Sequence, residues 1–188
     1  MERRKFVKKA MSFAALLLLH NQAQALAQLT KTTVSRVKPK NCRFPEITLY
    51  TSKLEEQYSF YSNTLKLSII NKTATQFSIM VGESILRFKE TKDGDEPFYH
   101  YAINIPSNKY KQAKEWLSSK TPLLGGDYFY FDFWDAHAIY FKDPSGNIGE
   151  LIARHTLDND SEGEFDVSDL LCISEIGTPV ENPSDFSS

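Results

Sequence analysis

The chain has 188 residues, of which 41% are hydrophobic, and its 22 Lys and Arg residues nearly balance its 24 Asp and Glu residues, giving a formal net charge of −2 at pH 7. This length and hydrophobic content suit one domain with a real core, or two very small domains. The slightly negative charge argues against non-specific nucleic-acid binding, which needs a basic surface.

The N-terminal segment has the layout of an export signal. A basic start is followed by a short apolar run, Ala10–Leu19, and by small residues that suit a signal peptidase. The run is too short to span a bilayer comfortably. The pair Arg3-Arg4 resembles a twin-arginine signal, although Glu2 stands where Ser or Thr is usual. We therefore interpret residues 1–27 as a twin-arginine-like signal peptide, with an amphipathic helix as the alternative. This interpretation predicts a periplasmic or secreted protein that has no stable membrane anchor after processing.

The first predicted unit follows a polar, basic linker over residues 28–43. Glu46–Tyr50 alternates polar and apolar residues as a strand does, and Lys53–Leu65 carries apolar residues at helical spacing. Three short strands are predicted next, at Leu67–Ile70, Phe77–Val81 and Ile85–Phe88. The order of this unit is β-α-β-β-β.

The same order then repeats. Tyr99–Ile105 alternates like a strand, Asn108–Ser119 has helical spacing, and a loop with Pro122, Gly125 and Gly126 follows. The last three predicted strands are Tyr128–Phe133, Ala136–Phe141 and Ile148–Arg154. The final two strands are joined by Asp143-Pro144-Ser145-Gly146, whose residues suit a type I turn. A repeated supersecondary unit predicts two related modules, residues 44–90 and 98–155.

Glu150 is unexpected in the last of these strands, where Ile148, Leu151 and Ile152 surround it. Burial of a carboxylate is costly unless the group is paired or binds a metal. The sequence therefore predicts a partner for Glu150.

Two β-α-β-β-β units that end in DPSGNIGEL resemble the vicinal-oxygen-chelate superfamily, which includes glyoxalase, bleomycin- and fosfomycin-resistance proteins and ring-cleaving dioxygenases. The resemblance covers residues 44–155. It implies an α+β fold in which the two modules form a curled, cup-shaped mixed sheet with helices on the outer face. It also implies a metal or a ligand in the concave face and a small-molecule substrate, and it leaves homodimerisation open.

The resemblance places the metal ligands on the opening strand of each module and on the last strand. Carried over residue by residue, these are Glu46, His100 and Glu150, which would bind a divalent ion such as Fe, Mn, Ni, Co or Zn. Strand alternation supports the inward position of Glu46 and His100 independently. Arg87 stands where a fourth ligand is common, and arginine cannot bind a metal. Arg87 would either clamp an anionic substrate beside the ion or replace the ion by pairing with a glutamate.

The predicted function is that of a metal-dependent enzyme acting on a small oxygen-rich substrate, either a lyase/isomerase or a ring-cleaving dioxygenase. Glu150 and His137 are its candidate catalytic residues, because some ring-cleaving dioxygenases carry a similarly placed acid–base His; a structural hydrogen bond of His137 to Asp132 or Asp135 is the alternative. The candidate substrate contacts are Arg87, Tyr50 and Asn104. The alternative function is a metal-free protein that sequesters a small molecule, with Arg87 as the anchor.

Residues 156–188 form an acidic tail. The stretch DNDSEGEFD has a composition typical of a disordered linker. Residues 172–181 parallel the opening strand of a module, with Glu175 at the ligand position, so the tail either docks on a free sheet edge as a truncated third module or stays flexible. Export also permits a disulfide between Cys42 and Cys172, with two unrelated thiols as the alternative.

Overall fold

The structure is a computed structural model that describes residues 44–92 and 95–177, without the side chains of residues 127 and 128. The predicted signal peptide, the linker with Cys42, and the end of the predicted tail strand lie outside the described residues. Among the helices of the described part, none is long and apolar enough to cross a membrane.

The first module forms a four-stranded sheet with one helical segment. Its elements are β1 (Glu46–Thr51), α1 (Leu54–Ser59), a π-helical turn (Phe60–Thr64), β2 (Ile69–Lys72), β3 (Gln76–Val81) and β4 (Ser84–Glu90). The strand order is β1-β4-β3-β2, in which β1 runs parallel to β4 and the other neighbours are antiparallel.

The second module repeats this topology. Its elements are β5 (His100–Ile105), α2 (Tyr110–Ser118), β6 (Leu123–Phe131), β7 (Ala136–Lys142) and β8 (Ile148–Arg154). The strands lie in the order β6-β7-β8-β5, and β5 runs parallel to β8 as β1 does to β4. A ninth strand, β9 (Cys172–Gly177), pairs antiparallel with β5. The predicted α+β fold of two β-α-β-β-β modules with curled sheets is confirmed.

The core lies between the helices and one face of each sheet. In β1, Leu49 is buried while Thr48 and Tyr50 are exposed, as the alternation predicts. Buried side chains from both modules form one apolar cluster, to which α2 contributes Ala113 and Leu117. The other face of each sheet carries the polar residues.

Strand β6 differs from its prediction. It begins at Leu123, whereas the sequence predicts a loop there, because a register shift against β7 between Leu124 and Phe129 absorbs the glycines as a bulge. Gly125 has a φ of +77°, and a Cβ at this position would lie 2.4 Å from the Phe129 ring. The glycines therefore bend a strand that continues through them.

The predicted disorder of the acidic stretch is wrong. Asn159 accepts a hydrogen bond from the backbone N–H of Ser107 at 3.0 Å, and Gln112 accepts one from Phe165 at 2.9 Å. The Phe165 ring is buried and packs edge-on against Trp116, with centroids 5.4 Å apart. The acidic side chains face outward, while a buried aromatic ring and specific hydrogen bonds fix the segment on α2.

Strand β9 is also bonded to the first module. The Ile173 carbonyl accepts a hydrogen bond from the Phe44 N–H at 2.9 Å, and the Ile173 N–H donates to the Ser84 hydroxyl at 3.0 Å. The chain before β9 passes close to the β3–β4 turn, where a Cβ on Gly82 would lie 2.0 Å from the Leu171 carbonyl oxygen. Ile173 is fully buried, so β9 is part of the core.

The Asp143 turn is anchored by a buried polar network. Asn147 donates from its side chain to the Asp143 carboxylate at 2.8 Å, and the Tyr61 hydroxyl donates to it at 3.1 Å. Tyr61 also shares a hydrogen bond with the Tyr101 hydroxyl. Burial raises the pKa of Asp143 and the pKa values of both tyrosines. This network ties the helical segment of one module to the strands of the other.

Candidate functional site

Glu150 has two hydrogen-bonding partners on neighbouring strands. Its Oε2 atom lies 2.8 Å from His100 Nε2 on β5, and the Tyr140 hydroxyl on β7 hydrogen-bonds to the same carboxylate. Glu150 is only 3% exposed. Burial and the adjacent carboxylate raise the pKa of the Tyr140 hydroxyl, which stays protonated as a donor. The buried carboxylate is therefore satisfied by protein groups alone.

The first module contains a matching set of partners. Arg87 on β4 forms an ion pair with Glu46 on β1, with 2.7 Å between Nη1 and Oε1. The Arg87 Nε–H donates to the Ser78 hydroxyl on β3 at 3.2 Å. The side chains of Arg87 and Glu46 are 31% and 39% exposed, so solvent reaches this pair.

These two sets occupy equivalent positions in the repeat. Glu46 and His100 are the first residues of β1 and β5. Two residues further along those strands are Thr48 and Ala102. Thr48 pairs in register with Arg87 on β4, and Ala102 pairs with Glu150 on β8. We call these sets the first triplet (Ser78, Arg87 and Glu46) and the second triplet (Tyr140, Glu150 and His100). Each has a central charged residue that bonds to both neighbouring strands, but the central charge is positive in the first triplet and negative in the second.

The predicted three-ligand metal site is not assembled. Within residues 44–92 and 95–177, no group of three or more His, Cys, Asp or Glu side chains is placed to hold an ion. His100 and Glu150 are together, but Glu46 is held by Arg87, whose guanidinium supplies positive charge beside the carboxylate. In this arrangement two of the predicted ligands, His100 and Glu150, bond to each other, and the third, Glu46, bonds to Arg87.

The other predicted substrate contacts have different surroundings. Tyr50 is 43% exposed and lies on the same face of β1 as Glu46. Asn104 accepts a hydrogen bond from the Arg154 Nε–H at 3.2 Å, and Arg154 also forms an ion pair with Glu175 of β9. Asn104 therefore helps to hold the tail strand, through Arg154.

Part of the polar face of the second module is covered. Trp134, from the β6–β7 turn, packs on Ala102, Ala136 and Ile152, which are fully buried. The Arg154 guanidinium lies over the same indole ring, 5.7 Å from its centroid. Because these positions are closed, the exposed region around Glu46, Arg87 and Tyr50 is the more accessible part of the candidate site.

The structure separates His137 from these residues. Tyr140 faces Glu150, and His137 lies three residues earlier in β7, so its side chain is on the opposite face of the sheet. There its ring packs between Tyr110 of α2 and Tyr130 of β6, at centroid distances of 4.6 and 4.9 Å, and its Nδ1 atom lies 2.5 Å from His155 Nε2. Partial burial and His155 lower the pKa of His137. The structure therefore does not bring His137 together with Glu150, because the sheet lies between the two side chains.

Two partners were missed by sequence reasoning. Tyr140 follows from the hairpin register that the Asp143 turn sets, since it lies directly opposite Glu150. Arg154 had no comparable signal, because its pairing with Glu175 depends on the docking of β9.

Comparison with known proteins finds solved structures of similar fold. No protein-family model matches the sequence, and the search of curated proteins finds no match. Lactoylglutathione lyase from Agrobacterium tumefaciens superimposes with a TM-score of 0.51 at 18% identity, covering 64% of this chain and 99% of that one. An integron cassette protein from the mobile metagenome of a Halifax Harbour sewage outfall also gives 0.51, at 21% identity, over 57% of this chain and 95% of its own. The chain therefore has the fold of lactoylglutathione lyase, as its resemblance to the vicinal-oxygen-chelate superfamily predicts.

Proposed function

We propose that the protein binds a small anionic molecule on the exposed polar face of its first module, through Arg87, and does not use a divalent ion at the ligand positions of the fold. The observation that carries this proposal is the pairwise closure of those positions, with Glu46 on Arg87 and His100 on Glu150. Each predicted metal ligand is thereby satisfied within the protein.

The first triplet has donor capacity left for a ligand. A guanidinium has five N–H groups, and the bonds described for Arg87 use one on Nε and one on Nη1. An ion pair as exposed as Glu46–Arg87 contributes at most about 1 kcal/mol, so a carboxylate or phosphonate can share or displace Glu46. Tyr50 pairs in register with Lys89, and both are exposed beside Arg87. This face therefore offers an aromatic surface and a second positive charge to an oxygen-rich anion.

A metal-dependent lyase, isomerase or ring-cleaving dioxygenase is the second candidate. It is favoured by the convergence of His100 and Glu150, an imidazole and a carboxylate, on the inner face of neighbouring strands. Release of Glu46 from Arg87 would make its carboxylate available as the third donor.

Binding of an aromatic anion tests the first candidate. We expect phenylphosphonate and benzoate to raise the melting temperature of the wild-type chain, and Arg87→Gln to remove this shift. Glu46→Gln should retain or strengthen it, because the competing carboxylate is lost. Glu90→Gln, an exposed substitution in the same strand, serves as the matched control. Equal shifts in wild type and Arg87→Gln would contradict the proposal.

Metal analysis decides between the candidates. A stoichiometric ion in the purified wild-type chain that is absent from both His100→Ala and Glu46→Ala would favour the enzyme. An unchanged metal content in these two variants would support the metal-free site.

The cellular location of the protein is a separate proposal. We propose export through the twin-arginine signal, so Arg3→Lys combined with Arg4→Lys should leave precursor in the cytoplasm of a bacterial host. Normal export of the double variant would contradict the twin-arginine route.

A further inference from the structure

A pair of imidazoles on the helix-facing side of the second module is not used by the proposed binding site. His137 Nδ1 and His155 Nε2 converge to 2.5 Å, with ring centroids 4.8 Å apart and planes inclined by 79°. His155 is exposed and His137 is half-buried, so solvent reaches the pair. We propose that this pair is a surface site for a divalent transition-metal ion such as Zn²⁺ or Ni²⁺, independent of the ligand positions of the fold.

His137 is held in place for this role. Its ring lies between Tyr110 and Tyr130, and the Tyr130 hydroxyl is itself fixed by a 2.9 Å hydrogen bond to Asp135. The backbone of His155 is fixed by a hydrogen bond from its N–H to the Asp135 carbonyl, at 2.8 Å. Both imidazoles are therefore carried by positioned backbone at the open end of the β7–β8 pair, where little ordering remains to be done on binding.

The chemistry of the two nitrogens suits an imidazole-binding ion. Only one proton fits between them, so at least one nitrogen presents a lone pair. Two nitrogens that each bind Zn²⁺ at about 2.0–2.1 Å lie about 3.3 Å apart in tetrahedral geometry. Because the two nitrogens point head-on at each other, the exposed His155 ring must move outward by about 1 Å and also turn, so that both lone pairs reach one ion. Imidazole favours Zn, Ni and Cu over Mg and Ca.

Water would fill the remaining coordination positions of the ion. Among the described residues, no third His, Cys, Asp or Glu side chain joins these two in a metal-binding group. A two-ligand site of this kind binds an ion more weakly than a closed structural site and leaves it open to exchange.

Calorimetric titration of the untagged full chain with Zn²⁺ and with Ni²⁺ tests the site. The sequence has four histidines, and each can be replaced by alanine in turn: His20, His100, His137 and His155. We expect one ion per chain, and affinity lowered at least about tenfold by His137→Ala and by His155→Ala, because loss of a ligand should cost no less than the roughly 10–100-fold typical of outer-shell partners. His20→Ala and His100→Ala should bind as wild type does.

The exposed position of His155 keeps the test decisive even if His137→Ala fails to fold. Thermal unfolding of His155→Ala should match wild type in the absence of metal. Binding unchanged in His155→Ala, or no binding in wild type, would overturn the proposal. Binding lost only in His100→Ala would overturn it as well, and would also contradict the metal-free site proposed for the first module. Loss only in the His137 and His155 variants leaves that proposed function unaffected.

Discussion

Truncation of Ile173 in β9 would measure how far the C-terminal segment belongs to the core. Its side chain is 0% exposed, and its backbone is bonded both to Phe44 and to Ser84. Replacing a fully buried Ile by Ala removes its apolar contacts and leaves a cavity, which together reduce the free energy of unfolding by about 2–5 kcal/mol. We expect about 3 kcal/mol for Ile173→Ala, equivalent to a fall in melting temperature of about 12 °C at about 4 °C per kcal/mol.

Urea unfolding followed by tryptophan fluorescence is the assay, with the slope of free energy against urea compared between variants. Ile70→Ala is the matched control, since the same atoms are removed from a side chain that is 44% exposed. The control should lose less than about 1 kcal/mol. If Ile173→Ala loses no more than Ile70→Ala does, β9 is not packed in the core as the structure has it.

Three further substitutions test the packing around the final hairpin. Because burial raises the pKa of Asp143, the folded protein keeps this proton where the unfolded chain releases it, so the contribution of Asp143 to stability decreases as pH rises above about 3.8. Between pH 4 and pH 7, the free energy of unfolding measured in urea should decrease less in Asp143→Asn than in wild type. An equal decrease in both would refute this. Tyr61→Phe removes a buried hydroxyl that donates to Asp143 and should lower stability by about 1–3 kcal/mol in thermal unfolding, whereas a neutral effect would show that the hydroxyl is replaceable. Gly149→Ala places a Cβ 2.2 Å from the Phe141 ring and should destabilise by about 1–3 kcal/mol. Gly126→Ala, which has open space around it, is the control, and equal melting temperatures would contradict the clash.

The strands were predictable because their faces differ in polarity. Strand β8 has the predicted bounds, Ile148–Arg154, and β7 extends its prediction by one residue. The parallel pairing of β1 with β4 is not encoded in periodicity, and it was not predicted, since the family resemblance implied only a mixed sheet. The acidic stretch was mispredicted because its composition is dominated by solvent-facing side chains, while Phe165 alone supplies much of its packing.

The sequence predicts on which strand faces the residues of the candidate site lie, but not which of these residues bond to each other. Alternation places Glu46 and His100 on the polar faces, and the Glu46–Arg87 pair was one of the alternatives that the sequence left open. Which charged groups meet depends on the register between strands that are far apart in sequence, which local patterns do not determine. His137 shares its strand face with Ile139, a core residue, so parity already argued for the helix-facing side.

The opposite central charges of the two triplets bear on misfolding. Because both modules have the same topology, β1 could in principle pair with β8, and β5 with β4, in an exchanged assembly. The first exchange would set Glu46 beside Glu150, two like charges in adjacent strands, and the second would set His100 beside Arg87 and leave both without an acidic partner. Like charges on neighbouring strands are destabilising, whereas the native pairing places each group beside a complementary one. The charge pattern thus favours the native strand partners and disfavours the exchanged pairing of two similar modules.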